Sequence, residues 1–121
     1  MSTQPATDPS AESRRKKRHE LRKPIPVVDT LSGDAIGTLA NITVGGMLIV
    51  GNKPMDANRI YQIELQFPGE VAGVTSVSVG IDCLWVNLEQ GMAWSGCEII
   101  DADEGAIAII EQLIIEYSTD S

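Results

Sequence analysis

The chain has 121 residues, 43% of them apolar but only 4% aromatic, and a formal net charge of −8 at pH 7. That length allows one domain with a modest core, packed by Val, Ile and Leu rather than by aromatic rings. A single histidine, His19, and two cysteines outside any metal-binding spacing, Cys83 and Cys97, leave little for a zinc centre or a catalytic triad, so neither an enzyme nor a metal or other cofactor is expected.

In chain order, residues 1–13 (MSTQPATDPSAES) have no large apolar residue after Met1 and read as a disordered leader. Residues 14–23, RRKKRHELRK, form a basic arm with seven Lys/Arg against the one acid Glu20, a net +6. Residues 24–121 hold only Lys53 and Arg59 against fourteen acids, a net −12. No apolar run approaches bilayer length, and no apolar segment sits behind the arm as it would in a secretory signal. A cytoplasmic protein with reduced, packed thiols is the expectation.

From Pro24 the periodicity is that of strands. Pro24-Ile-Pro-Val-Val is short and edge-like, because two prolines cannot donate to a central ladder. Leu31–Asp34 supplies a turn, and Ala35–Ile42 alternates as a second strand. Gly45-Gly46 breaks the run before Met47–Val50 resumes it. Ile60–Phe67 is the cleanest alternation, with Ile63, Leu65 and Phe67 on one face, and Pro68-Gly69 is expected to end it. Val74–Val86 and Met92–Ile100 read as two further strands joined by a polar turn at Asn87–Gly91.

The period then changes to that of a helix over Asp103–Tyr117, with Asp103 as N-cap, Glu104 in the first turn, and Ile107, Ile110, Leu113 and Ile114 on the apolar face. Ile109 and Ile115 widen that surface, which offers a contact for a homodimer. Six strands followed by a terminal helix predict a mostly β fold: a six-stranded antiparallel β-barrel over residues 24–117 with a C-terminal α-helix and a flexible basic N-terminal arm.

Two motifs stand in order along this framework. Arg18-His-Glu-Leu-Arg22 is an RxxxR, and Asn41-Ile-Thr-Val-Gly-Gly46 is an NxTxxG that begins after eighteen intervening residues. Together they resemble the signature of the PilZ domain, the bacterial receptor module for cyclic di-GMP, in which an RxxxR precedes (D/N)xSxxG. The likeness extends to Arg22-Lys-Pro-Ile-Pro-Val-Val before the first barrel strand, to Gly45-Gly-Met-Leu-Ile, and to Cys83-Leu-Trp-Val with Trp94-Ser-Gly-Cys-Glu-Ile-Ile as a closing hairpin. RxxxR alone is weak, since any basic run contains one. The pair with strand context between is stronger, and it spans roughly residues 14–117.

The resemblance implies a six-stranded PilZ-like barrel that binds cyclic di-GMP and carries out no catalysis. It assigns Arg18 and Arg22 to bidentate contacts with guanine O6/N7 or phosphate, chemistry that a planar guanidinium suits. It assigns Asn41 and Thr43 to the other guanine edge, and Gly45 and Gly46 to positive φ and close backbone approach. The usual serine is threonine here, which keeps the hydroxyl and adds a methyl. Arg14 and Arg18 also form an RxxxR, so the register stays open; Arg18/Arg22 is preferred because Arg22 directly precedes the Lys-Pro-Ile-Pro segment, with Arg14 and Arg15 as auxiliary contacts. The implied output is an arm that orders on the ligand and alters the surface offered to an effector protein.

Blander readings compete. A basic run is commonly a solvated tail or a polyelectrolyte contact for nucleic acid or anionic lipid. The −12 body argues against DNA and tolerates a small dianion held at the arm. Trp85 and Trp94 read as core or barrel-rim residues. Another reading is a PilZ-fold interaction protein of type IV pilus or motility machinery that binds no nucleotide.

Overall fold

The computed structural model of the protein describes residues 19–20 and 23–117. The leader and the arginines Arg14, Arg15, Arg18 and Arg22 lie outside the described residues. Seven strands and one helix follow in order: β1 His19–Glu20, β2 Pro26–Asp29, β3 Ala35–Thr43, β4 Gly46–Gly51, β5 Arg59–Val71, β6 Val74–Glu89, β7 Met92–Asp101 and α1 Glu104–Tyr117. Around the barrel the order is β3–β2–β5–β6–β7–β4, and β4 pairs back onto β3 to close it, with every pairing antiparallel. Closure leaves the six barrel strands without an open edge. The expected six-stranded barrel with a C-terminal helix is therefore the observed fold.

Alternation sorts the side chains. Ile63 and Leu65 on β5, Val79 and Ile81 on β6, and Met47 and Ile49 on β4 are buried inside, while Gln62 and Gln66 face solvent. Ile25, just before β2, is fully buried, and its carbonyl accepts the Leu39 N–H at 2.9 Å, fixing where the chain joins the barrel. The first strand starts at Pro26 rather than Pro24, so neither Pro24 nor the buried Ile25 lies within the ladder.

Two strand ends differ from expectation. β5 runs through Pro68-Gly69 to Val71 because the β5–β6 register shifts between Gln66 and Val71, so Pro68 sits in an irregular stretch that asks no ladder bond of it. Fully buried Val71 anchors the far end. Likewise β6 and β7 reach Glu89 and Met92, leaving only Gln90-Gly91 as the turn. Both residues have positive φ (55° and 79°), the left-handed pair that matches strand twist in a two-residue hairpin.

The helix is capped as expected: Asp103 Oδ1 accepts the Ala106 N–H at 2.8 Å, and the Asp103 carbonyl accepts the Ile107 N–H at 3.0 Å. Its buried face is Ala106, Ile110, Leu113 and Tyr117. Of the predicted face, Ile110 and Leu113 are fully buried, Ile114 is partly so, and Ile107 turns toward solvent. Burying Ile110 and Leu113 contributes about 1.5–3 kcal/mol each as an upper estimate. Ile109 packs against the core, leaving Ile115, 72% exposed, as the outward apolar residue of the helix's last turns. Among the described residues, no helix is long and apolar enough to cross a membrane.

Candidate functional site

The NxTxxG segment spans the end of β3 and its turn into β4. Strict alternation from buried Leu39 would turn Asn41 and Thr43 inward. Instead the β3–β4 register shifts between Leu39 and Asn41, so that Ala40 is an extra residue on β3. The bulge resets the parity: Leu39 and Ile42, three apart, are both buried, and Asn41 and Thr43 share the half-buried outer face.

Cross-strand pairing extends Asn41 into a row over the outer surface. Asn41 is opposite Leu48, Leu48 is opposite Gly96, and Gly96 is opposite Trp85. On the other side of β3, Glu20 of β1 is opposite Asn41 and His19 is opposite Ile42. His19–Glu20, in the middle of the arm, thus form a two-residue ladder against the strand that carries Asn41. Arg18 and Arg22 immediately flank that segment in the sequence.

Gly96 and Trp85 make the far end of the row. A Cβ on Gly96 would overlap Trp85 Nε1 and two neighbouring indole carbons, so the ring lies directly on the β7 backbone. A second bulge at Leu84, between the Cys83/Cys97 and Trp85/Gly96 pairs, turns Trp85 outward while Cys83 stays inside. Trp85 is 42% exposed and is no core residue. Sequence reading missed it as a member of this face; only the register of the β6–β7 hairpin, which sets Trp against Gly, could have exposed it.

Thr43 also serves the turn itself. Its Oγ1 accepts the N–H groups of Gly45 (3.2 Å) and Gly46 (3.1 Å) and makes a long bond to the Gly46 carbonyl at 3.4 Å. The hydroxyl therefore closes the β3–β4 turn, as Ser and Thr commonly do in such loops. Of the two expectations for the glycine pair, close approach holds: a Cβ on Gly46 would come within 2.7 Å of the Cys97 carbonyl oxygen. The glycines of positive φ are Gly33, Gly73 and Gly91, not Gly45 or Gly46. The Gly45 carbonyl accepts the Ile99 N–H at 3.0 Å, which ties the turn to β7.

The electrostatics of this face are one-sided. Beside the Asn41 row, Gly46 is opposite Glu98, and Glu98 is opposite Asp82, a like-charged pair directly across two strands. Of the cations within residues 23–117, Arg59 and Lys23 lie against other groups. Arg59 meets Asp56 at 3.2 Å and lies 4.8 Å from the Tyr61 ring centre, and Lys23 sits 6.0 Å from that of Tyr117. Lys53 lines an open groove of about 700 Å³ with Pro26, Thr38, Val50 and Met92, whose Thr38/Val50 pair is two register pairs from Asn41/Leu48. An anion on the Asn41–Trp85 row would have to bring its countercharge from the arm.

A mostly β chain closed in this order, with His19–Glu20 paired to β3 and its C-terminal helix packed on the barrel, has a PilZ-like fold. Solved structures agree. The inhibitor of motility MotI/DgrA of Bacillus subtilis matches with TM-score 0.66 and 12% identity over 84% of this chain, and K. pneumonia MrkH in its apo state with 0.64 and 11% over 84%. The PilZ domain of YcgR from Escherichia coli, solved with c-di-GMP, matches with 0.62 and 11% over 84% of this chain and 89% of its own. This chain spans about half the length of the first two (49% and 50%). No family model and no curated protein matches the sequence.

Proposed function

We propose that the chain is a PilZ-type receptor domain for cyclic di-GMP, acting in the bacterial cytoplasm without catalysis. The ligand lies on the outer row Asn41–Leu48–Gly96–Trp85 and is held from above by Arg18 and Arg22. The observation that carries this reading is the pairing of Glu20 with Asn41, since it brings the arm's backbone beside the one strand whose bulge turns Asn41 outward. The arm supplies the positive charge that the row lacks, and a guanidinium pair meets guanine O6/N7 or phosphate with parallel hydrogen bonds. Trp85, resting on Gly96, offers its exposed ring for a base to stack on. Thr43, Gly45 and Gly46 act by holding the turn that presents Asn41.

In this reading the signal is conformational. Two ladder residues bind the arm weakly, the ligand bridges arm and barrel, and the changed surface is read by an effector protein. Calorimetric titration with cyclic di-GMP tests it. Binding should favour cyclic di-GMP over cyclic di-AMP, whose adenine presents an amino donor where guanine has O6. Arg18→Ala or Arg22→Ala should each cost about 1–3 kcal/mol of affinity, and Lys replacements should not restore it fully. No heat of binding from the folded wild-type protein would instead favour an interaction protein that uses the same fold without a nucleotide.

A further inference from the structure

The chain has two cysteines, and the fold sets them face to face: Cys83 on β6 is the register partner of Cys97 on β7. Directly opposed residues of antiparallel strands have Cα atoms about 4.5–5.5 Å apart, inside the window of about 4.4–6.8 Å that a disulfide spans. Both side chains point into the barrel, 0% and 5% exposed, and both are free thiols. Their environment is built around sulfur. Cys83 Sγ donates to the Trp85 carbonyl at 3.8 Å, the Cys97 thiol faces Cys83 across the pair, and buried Ser95 Oγ, which has no hydrogen-bond partner, lies beside Cys83. Cys97 is flanked on its other side by buried Met47.

We propose that Cys83 and Cys97 are a peroxide-responsive dithiol that closes to a disulfide inside the barrel wall and thereby shifts the outer surface at Trp85. The link from inside to outside is short. The bulge residue Leu84 separates the Cys83/Cys97 pair from the Trp85/Gly96 pair, and the Cys83 S–H bonds the backbone of Trp85 itself. Oxidation removes that S–H and pins the two strands together one step from the indole. The proposal does not depend on which ligand the outer face takes.

Burial pushes both thiols up, Cys97 to about 12. The Cys97 S–H given to Cys83 adds to the rise of Cys97 and partly relieves Cys83, so Cys83 is the sulfur that ionises first. Its thiolate attacks one oxygen of hydrogen peroxide, the O–O bond breaks, and the departing hydroxide takes a proton to leave as water, giving a Cys83 sulfenic acid. The Cys97 sulfur then attacks the Cys83 sulfur, the S–O bond breaks, and the hydroxyl leaves as a second water with the Cys97 proton. Two thiols lose two electrons and two protons, and one peroxide becomes two waters. A small oxidant suits an interior that a bulky disulfide cannot enter, and slow reaction is expected from thiols so little ionised.

The test treats the folded, reduced protein with hydrogen peroxide, blocks remaining thiols with iodoacetamide and maps peptides without reduction. The expected result is an intramolecular Cys83–Cys97 cross-linked peptide that a reductant reverses, absent in Cys83→Ser and Cys97→Ser. The emission of Trp85 should shift with it in a Trp94→Phe background, and Cys97→Ser should show no such shift. The proposal is overturned if both cysteines remain fully alkylatable while a methionine is oxidised, if the link forms only between molecules, or if the cross-link forms with no change at Trp85.

Discussion

Glycine 96 illustrates how much of this face rests on single atoms. Any side chain there must displace the Trp85 ring, since its Cβ would fall inside the indole. Gly96→Ala is therefore expected to move Trp85 off β7, change its fluorescence in a Trp94→Phe background and weaken cyclic di-GMP binding by about two- to tenfold, in line with the loss of one aromatic stacking contact. Unchanged emission would show that the ring does not rest there in solution. Thr43 gives a complementary case. Thr43→Val keeps the shape but strands two turn N–H groups, and should lower unfolding free energy by about 1–3 kcal/mol in urea melts, whereas Thr43→Ser, which keeps the acceptor, should be close to neutral. Equal stability of both variants would count against the turn-closing role.

At the scale of elements, what could be read in advance was what periodicity encodes. The β5 pattern of Ile63, Leu65 and Phe67 gave its inward face directly, and Asp103 marked the helix start because its carboxylate has one obvious backbone donor to meet. Bulges were not legible. The extra residue at Ala40 that turns Asn41 outward, and the one at Leu84 that frees Trp85, are set by register between strands distant in sequence, and no local propensity announces them. The turns at Ala72-Gly73 and Gln90-Gly91 were missed in extent for a related reason: Ala72 and Gln90 take positive φ that their own chemistry does not favour. The helix tests the division between core and surface. Leu113→Ala should cost about 2–5 kcal/mol by opening a cavity between helix and barrel. Ile115→Ser should leave monomer stability within about 0.5 kcal/mol. If Ile115 serves a homodimer, light scattering will show Ile115→Ser shifting the protein toward monomer; an unchanged mass removes the helix from that role.

Over the whole molecule the controlling feature is the charge division, +6 in residues 14–23 against −12 in residues 24–121. The body's like-charged Asp82/Glu98 pair flanks the very row that would take a dianionic nucleotide, so the barrel alone is a poor anion site. Among the described residues, His19 and Glu20 are the part of the arm that pairs with β3, and salt screens the attraction between the arm's charge and the body's. Under the proposed function, a ligand carrying two phosphates and two guanines would satisfy both halves at once and so bridge them. The central claim is thus that cyclic di-GMP joins arm and barrel, and hydrogen exchange read by mass spectrometry, with and without saturating ligand, tests it most directly. The account predicts fast exchange over residues 14–22 in the free protein, with at most slight slowing at His19–Glu20. Added cyclic di-GMP should bring marked protection there and at Asn41–Met47, with little change around Leu113. Full protection of the arm before ligand is added, or binding that leaves both segments unaltered, would contradict it.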